Sequence, residues 1–405
     1  MSAPPPPSTT APAVVWTPDY LRYRLSADHP LDPVRLDLTM RLATELGVLD
    51  GVELLTPHAA ADSDLLRIHT PSYLAAVKSA PGQLQAVGHG LGSADNPVFE
   101  QMHEASALLV GGSIAAAREI AHGRTRRAVT IGGGLHHAMA DSASGFCVYN
   151  DAAVAIAWLL DHGFERIAYV DVDVHHGDGV QAAFLHDPRV LTVSVHQHPA
   201  TLWPSTGWSH EVGGGAAAGT VVNLPLLPGT GDAAWLRAFH AVVPSAVRAF
   251  RPQLLVTQCG VDTHREDPLA DLRLTVDGHR AVFGALRELA NDVAGGRWLA
   301  LGGGGYGLVR VVPRSWTHLL ATMLDRDIAP TTPMPRQWLS DVARRWPTVE
   351  LPSTMGEGGD VEYEPWGGGL GEAASAPAAR VDAAVTDTRR AAFPLLGLDP
   401  DDPRD

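Results

Sequence analysis

Between residues 128 and 330, short apolar runs rich in Val, Leu and Ile alternate with longer Ala-rich stretches of helical periodicity; this alternation restricts the chain more than any other feature. Runs too short for helices and apolar on both faces are what a parallel sheet needs when helices cover both its sides. Five strands are expected: AVTIGGG from Ala128, RIAYVDVDV from Arg166, RVLTVSV from Arg189, QLLVTQC from Gln253 and RWLALGGGG from Arg297. Helical patterns lie between them, for example from Asp151 to Asp161, Trp235 to Phe250 and Val276 to Val293. The fold class is therefore α/β, three layers with a central parallel sheet.

At 405 residues the chain exceeds the usual size of a single core, which leaves open one large domain with appendages or two domains. It has no fixed-period repeat and no apolar run of bilayer length. Residues 1–13, MSAPPPPSTTAPA, read as a disordered Pro-rich lead and not a secretory signal, so the cytoplasm is the expected location. The folded body is expected over 14–350, with a loop from about 205 to 220. Residues 351–405, a mixture of Pro, Gly and acids, are expected to form a weakly packed extension. Cys147 and Cys259 stand far apart in apolar surroundings, which argues against a disulfide framework and a cysteine-built metal site. A net charge of −15 disfavours nucleic acid and suits a cationic or neutral substrate.

Polar residues collect immediately after each apolar run, and in open parallel sheets ligands bind outside the carboxyl ends of the strands. In YVDVDVHHGDG, Asp171, Asp173 and His175 fall at i, i+2 and i+4, so on a persisting strand all three leave one face. Burying such a tip is costly unless its carboxylates bind a cation or accept several hydrogen bonds; a lone Asp there would more simply cap the next helix. In QCGVDTHREDP, Asp262 completes a two-Asp, one-His set with Asp173 and His175, the ligand count of a catalytic zinc with one open position. His264 and Asp267 compete for that place, with a solvated loop as their alternative.

TIGGGLHHAM puts His136 and His137 at another strand end. Each imidazole needs a partner to set its tautomer, and Asp171 and Asp178 are the spare carboxylates, which suggests general acid/base work. In LALGGGGYGL four glycines precede Tyr306, without the Lys-Ser/Thr pair of a phosphate loop or the spacing of a dinucleotide fingerprint. A phenol there is suited to bonding a developing oxyanion; its alternative is a tyrosine at the core edge.

HP followed by PVR, GGGLHHA, SGFCVYND, DVDVHHGDGV, a Val-Ser-Val-His strand, QCGVDT and GGGGY occur in the order of the histone deacetylase superfamily. The resemblance runs from about His29 to Thr317, and its flanking details are most similar to the bacterial acetoin-utilisation deacetylase (AcuC) branch. It implies an arginase/deacetylase-like fold and a metal-dependent protein lysine deacetylase. Zinc, or iron(II) in its place, falls to Asp173, His175 and Asp262. His137 with Asp178 becomes the general base, His136 with Asp171 its electrostatic partner, and Tyr306 the residue that polarises the carbonyl.

The resemblance further implies that Phe146 and Trp203 flank the acyl-lysine stem, with Gly145 and Gly304 lining the same space. Where the family has Phe-Pro-Gly-Thr-Gly this chain has Trp203-Pro204-Ser205-Thr206-Gly207, so an indole narrows the tunnel or else covers the core edge. Asp95 matches the rim carboxylate that holds the substrate backbone, or is a turn residue. Arg35 matches the arginine of an acetate channel, or is a surface helix charge. A potassium site would use Asp171 and Ser194. Acetylated proteins are the implied substrates and an acyl-CoA synthetase the implied partner, with no membrane and no nucleic acid. An acetylpolyamine amidohydrolase and a non-catalytic acyl-lysine binder are the alternatives.

Overall fold

The structure, a computed structural model, describes residues 11–83, 88–368 and 376–405. Eight strands form one sheet: β1 Ala13–Val15, β2 Leu54–Leu55, β3 Arg127–Thr130, β4 Ile167–Asp171, β5 Val190–Gln197, β6 Val221–Leu226, β7 Leu254–Gln258 and β8 Trp298–Leu301. The five expected strands are present as β3, β4, β5, β7 and β8. All pairings are parallel, in the order β2-β1-β3-β8-β7-β4-β5-β6. Helices supply the crossovers that parallel neighbours require, including Asp151–Asp161, Asp232–Phe250 and Val276–Ala294. The sheet and these helices share one apolar core. No helix among the described residues is long and apolar enough to cross a membrane.

The topology makes β3, β8, β7 and β4 adjacent although they lie far apart in sequence. Their register pairs Thr130 with Leu301, Leu301 with Gln258, and Gln258 with Asp171, so the four strands end on one level line. At about 4.8 Å between neighbours, the four tips span roughly 15 Å, the width of one pocket. The segments that follow these tips carry the two histidines, Tyr306, Asp262, and the pair Asp173 and His175.

Two sequence expectations fail here. Strand β6 was missed because VVNLPL follows a Gly-rich loop and contains Pro225, which is tolerated because β6 is a sheet edge. The segment beyond Leu351 is not weakly packed. Its helix Ala376–Leu396 packs on Asp232–Phe250 and on β6, burying Val381, Val385, Ala392 and Phe393. Arg237 forms a two-pronged ion pair with Asp382 at 2.7 and 2.9 Å. Arg389, fully buried, donates to the carbonyls of Ala241, Asp399, Pro400, Asp402 and Asp405, which ties the chain end to the body. An amphipathic helix is hard to see in a Gly- and Pro-framed stretch whose core contacts are mostly Ala and Val. The expected disordered lead falls largely on residues 1–10, outside the described residues, and Ala13 already belongs to β1.

Phe393 is completely buried. Phe393→Ala is expected to lower stability by about 3 kcal/mol, measured as the shift of a urea unfolding transition. A change below about 0.5 kcal/mol, the size typical of surface positions, would show that this helix only rests on the body.

Candidate active site

Strand β4 stops at Asp171, and the chain then bends through residues 173–175. Asp171 Oδ1 accepts the Asp173 N–H at 3.1 Å, and Asp173 Oδ1 accepts the His175 N–H at 3.0 Å. These side-chain-to-backbone bonds are what Asp does at a strand end. They correct the expectation of three groups leaving one strand face: Asp173 and His175 converge with Asp262, while Asp171 does not join them. Donor atoms of Asp173, His175 and Asp262 lie within 4.8 Å of one another, and all three residues are buried.

This cage fits a divalent cation. His175 Nδ1 faces Asp173 Oδ1 and Asp262 Oδ2, each at 3.2 Å. Burial and the neighbouring Asp173 charge push the Asp262 carboxyl up to about 8. Burial opposes a charge on His175, yet its hydrogen bonds to the two carboxylates outweigh this and push it up to about 10. One cation shared by all three groups relieves the repulsion between the carboxylates. Room is made by glycine: a Cβ at Gly304 would collide with the Asp262 carboxylate, and one at Gly260 with that of Asp173. The remaining lone pairs are satisfied, Asp173 Oδ2 by Gln258 Nε2 at 2.6 Å and Gly304 N at 2.8 Å, Asp262 Oδ1 by Val174 N at 2.9 Å.

After β3, His136 and His137 stand beside the cage with ring centroids 3.9 Å apart. His136 Nδ1 meets Asp171 Oδ2 at 2.7 Å and His137 Nδ1 meets Asp178 Oδ1 at 2.7 Å. Asp151 holds the turn that delivers them, accepting the backbone N–H of Gly134 at 3.0 Å and Leu135 at 2.7 Å. The two imidazoles are driven apart electrostatically. Burial works against a charged His136, but Asp171 and Asp173 outweigh it and push it up to about 9. His137 is lowered to about 4 by burial and by the charge of His136, against the pull of Asp178.

Tyr306 follows β8 and faces Phe146 with ring centroids 5.7 Å apart. Burial, with Asp262 and Asp173 nearby, holds its phenol well above the usual range. Phe146 has φ +69°, a costly conformation for a side chain. The Tyr23 hydroxyl holds it there, donating to Phe146 O at 2.7 Å and accepting Val148 N–H at 3.1 Å. Trp203 lies on the His137 side, centroids 4.6 Å apart, and over Gly145, where a Cβ would strike the indole. Trp203 is 44% exposed, so it does not seal the core edge. Asp95 is exposed; its backbone oxygen contacts His29 Nε2 at 3.3 Å, and the His29 ring packs on Phe146.

Arg35 is no surface charge: it is buried, with Nη1 donating to Gly305 O at 2.9 Å and its guanidinium carbon 5.0 Å from the Trp316 ring. His264 and Asp267 are not solvated either. His264 pairs with Glu357 at 3.0 Å, and Asp267 accepts the Tyr306 N–H at 2.9 Å. Ser194 is buried and bonded to His196 Nδ1 at 2.9 Å. Sequence reading missed Gln258, Asp151 and Glu211. Glu211 accepts the N–H groups of Gly207 and Trp208 at 3.0 and 2.9 Å and so anchors the Trp203 loop. A polar Gln closing an apolar strand was a visible signal for the first; Glu211, in a featureless loop, had none.

A cation cage with paired histidines at the carboxyl edge of a parallel sheet defines a metal-dependent hydrolase, and the chain belongs to the histone deacetylase family, whose domain profile matches residues 29–323. Among relatives, it is 38% identical to the acetoin utilization protein AcuC of Bacillus subtilis over 87% of this chain and 91% of that one. Its identity to AcuC of Staphylococcus xylosus is 35%, over 80% and 86%. Two solved structures of HDAC homologues superpose with TM-scores of 0.78 and 0.77. The first, complexed with SAHA, is 29% identical, and the second, from Aquifex aeolicus, is 28% identical; each is covered completely, over 93% of this chain. These likenesses agree with the single parallel sheet and assign the chain to the AcuC branch of deacetylases.

Gln258 supports a cage ligand without belonging to the cage. Gln258→Leu is expected to weaken metal binding about 10- to 100-fold, and Asp173→Asn by more, measured by competition with a chelator of known affinity. Undiminished affinity in Asp173→Asn would remove that residue from the ligand set.

Proposed function

We propose that this chain removes the acetyl group from Nε-acetyl-lysine in cytoplasmic proteins, releasing acetate, with one zinc ion held by Asp173, His175 and Asp262. The reading is carried by one observation: a buried histidine, His137, bonded to Asp178 at 2.7 Å, stands beside a cage that suits a divalent cation. The names of the Bacillus and Staphylococcus relatives supply the link to acetoin use, and through it to acetate metabolism.

The bound ion supplies Lewis-acid polarisation of the amide carbonyl and of a water molecule. The chain's own groups do the rest. Asp178 is held below the usual carboxylate range despite its burial, chiefly by His137, so it is ionised and accepts the His137 Nδ1–H. That leaves Nε2 as the basic nitrogen, which takes a proton from water as it attacks and returns it to the departing lysine amine. His136, charged and paired with Asp171, stabilises negative charge from the side. Tyr306 keeps its proton at any physiological pH and donates it in a hydrogen bond to the oxygen that was the carbonyl. Phe146 and Trp203 exclude water from the acyl-lysine stem. Behind the cage, Arg35 has a buried Nε without a partner among the described residues, which suits passage of acetate.

The His137 shift has a definite sign. An imidazole lowered from 6.5 stays neutral until the pH falls through about 4, so base catalysis persists into mild acid. At full metal loading, the acid limb of kcat/KM is expected below pH 6.5 and lower still in Asp178→Asn, which removes a group that raises His137; a limb above 6.5 would contradict the assignment. Tyr306→Phe should cut turnover by ~100-fold or more with metal content unchanged. Purified metal-replete enzyme should hydrolyse acetyl-lysine peptides with higher kcat/KM than N-acetylpolyamines. The reverse order would make it a small-amide amidohydrolase, and binding without acetate release would make it an acyl-lysine binder.

A further inference from the structure

Tyr306 sits in a segment that cannot place itself. Gly303 and Gly305 have φ of +148° and +141°, and no side chain between Gly302 and Gly305 packs to fix the path. Its direction is set by bonds from outside: Gly304 N to Asp173 Oδ2, Val261 N to Gly304 O at 2.9 Å, Arg35 Nη1 to Gly305 O, and Tyr306 N to Asp267 Oδ2 at 2.9 Å. Only the last acts on the tyrosine's own backbone nitrogen.

Asp267 is itself built in. It is 7% exposed, and its other oxygen accepts Leu269 N–H at 3.0 Å. Its own N–H donates to His264 O at 2.9 Å. His264 is locked at both ring nitrogens, with Nδ1 accepting Glu266 N–H at 3.1 Å and Nε2 donating to Glu357 at 3.0 Å. Glu357 comes from the segment beyond Leu351 and is held in turn by Arg314 and by its own N–H on Asp277 at 2.8 Å. A chain of short contacts thus runs from that segment through the 264–267 turn to Tyr306, with no hydrogen bond to a donor atom of the metal cage among the described residues.

We propose that Asp267 is the positioning residue that aims the Tyr306 phenol at the reacting carbonyl. The inference rests on the oxyanion role proposed for Tyr306. The carboxylate fixes the Tyr306 nitrogen, the Cα–Cβ direction follows, and the hydroxyl is presented to the pocket. Asp267→Asn leaves one acceptor oxygen for the N–H groups of both Tyr306 and Leu269, so one of the two must face the amide donor and the clamp on the segment is weakened.

The test is a double-mutant cycle of Asp267→Asn with Tyr306→Phe, read as kcat, KM and bound metal. In the wild-type background Asp267→Asn should lower kcat by roughly 10- to 100-fold, as misplacement of a catalytic group does, with KM and metal content unchanged. In the Tyr306→Phe background it should cost less than about 2-fold, because the group it aims is gone. Equal losses in both backgrounds, or full activity in the single variant, overturn the proposal. Should Asp267→Asn not accumulate, Asp267→Glu carries the same cycle. A crystal structure of the variant decides independently of turnover: Tyr306 displaced supports the proposal, and an unmoved Gly303–Gly307 path overturns it. Full activity of Tyr306→Phe alone would instead refute the oxyanion role, leaving the crystal structure to settle the placement.

Discussion

Two carboxylates held out of water beside each other are the condition that the rest of this molecule satisfies. Removing an isolated carboxylate from water costs several kcal/mol, and Asp173 and Asp262 add mutual repulsion to that. The fold meets the demand by ending four neighbouring strands on one line, so that backbone N–H groups, the Gln258 amide and the His175 imidazole all reach the same two side chains. What those donors leave unmet is positive charge, and a divalent ion is the compact source of it. The cage is therefore a site whose stability and chemistry have one origin.

Adjacent histidines show how little the residue type decides. His136 and His137 share a turn, burial and a carboxylate partner each, yet their surroundings push the first up to about 9 and the second down to about 4. The difference is the second carboxylate that His136 faces, Asp173, with a nitrogen-to-oxygen distance of 3.8 Å. His137 instead meets the charge of its neighbour.

Much of this was legible in the sequence, and for a definite reason. Strands such as RIAYVDVDV are apolar on both faces and then abruptly acidic, which points to a buried strand with a functional tip. The grouping of Asp173, His175 and Asp262 could be read because buried acids demand a charge balance that few residues can supply; which carboxylate serves which histidine follows from the family resemblance. What escaped depends on contacts distant in sequence and chemically ordinary. The bend after Asp171 breaks the strand periodicity on which convergence was argued. The partner that lets His264 be buried is Glu357, 93 residues further on. Strand β6 lacked a helix-strand rhythm around it, and the helix that covers it carries too little apolar contrast to announce itself.

That helix has a consequence for how the protein is made. Strand β6 is the free end of the sheet, and the Thr388 hydroxyl caps the Asn223 carbonyl on it at 2.7 Å. An uncovered edge strand is a template for pairing with other chains. The cover is synthesised well after the strand it protects, so a nascent molecule displays this edge until the helix Ala376–Leu396 has emerged and packed. Translation that stops early yields a chain with its catalytic groups already encoded and its sticky border still open, a substrate for chaperones and proteases before it is ever an enzyme.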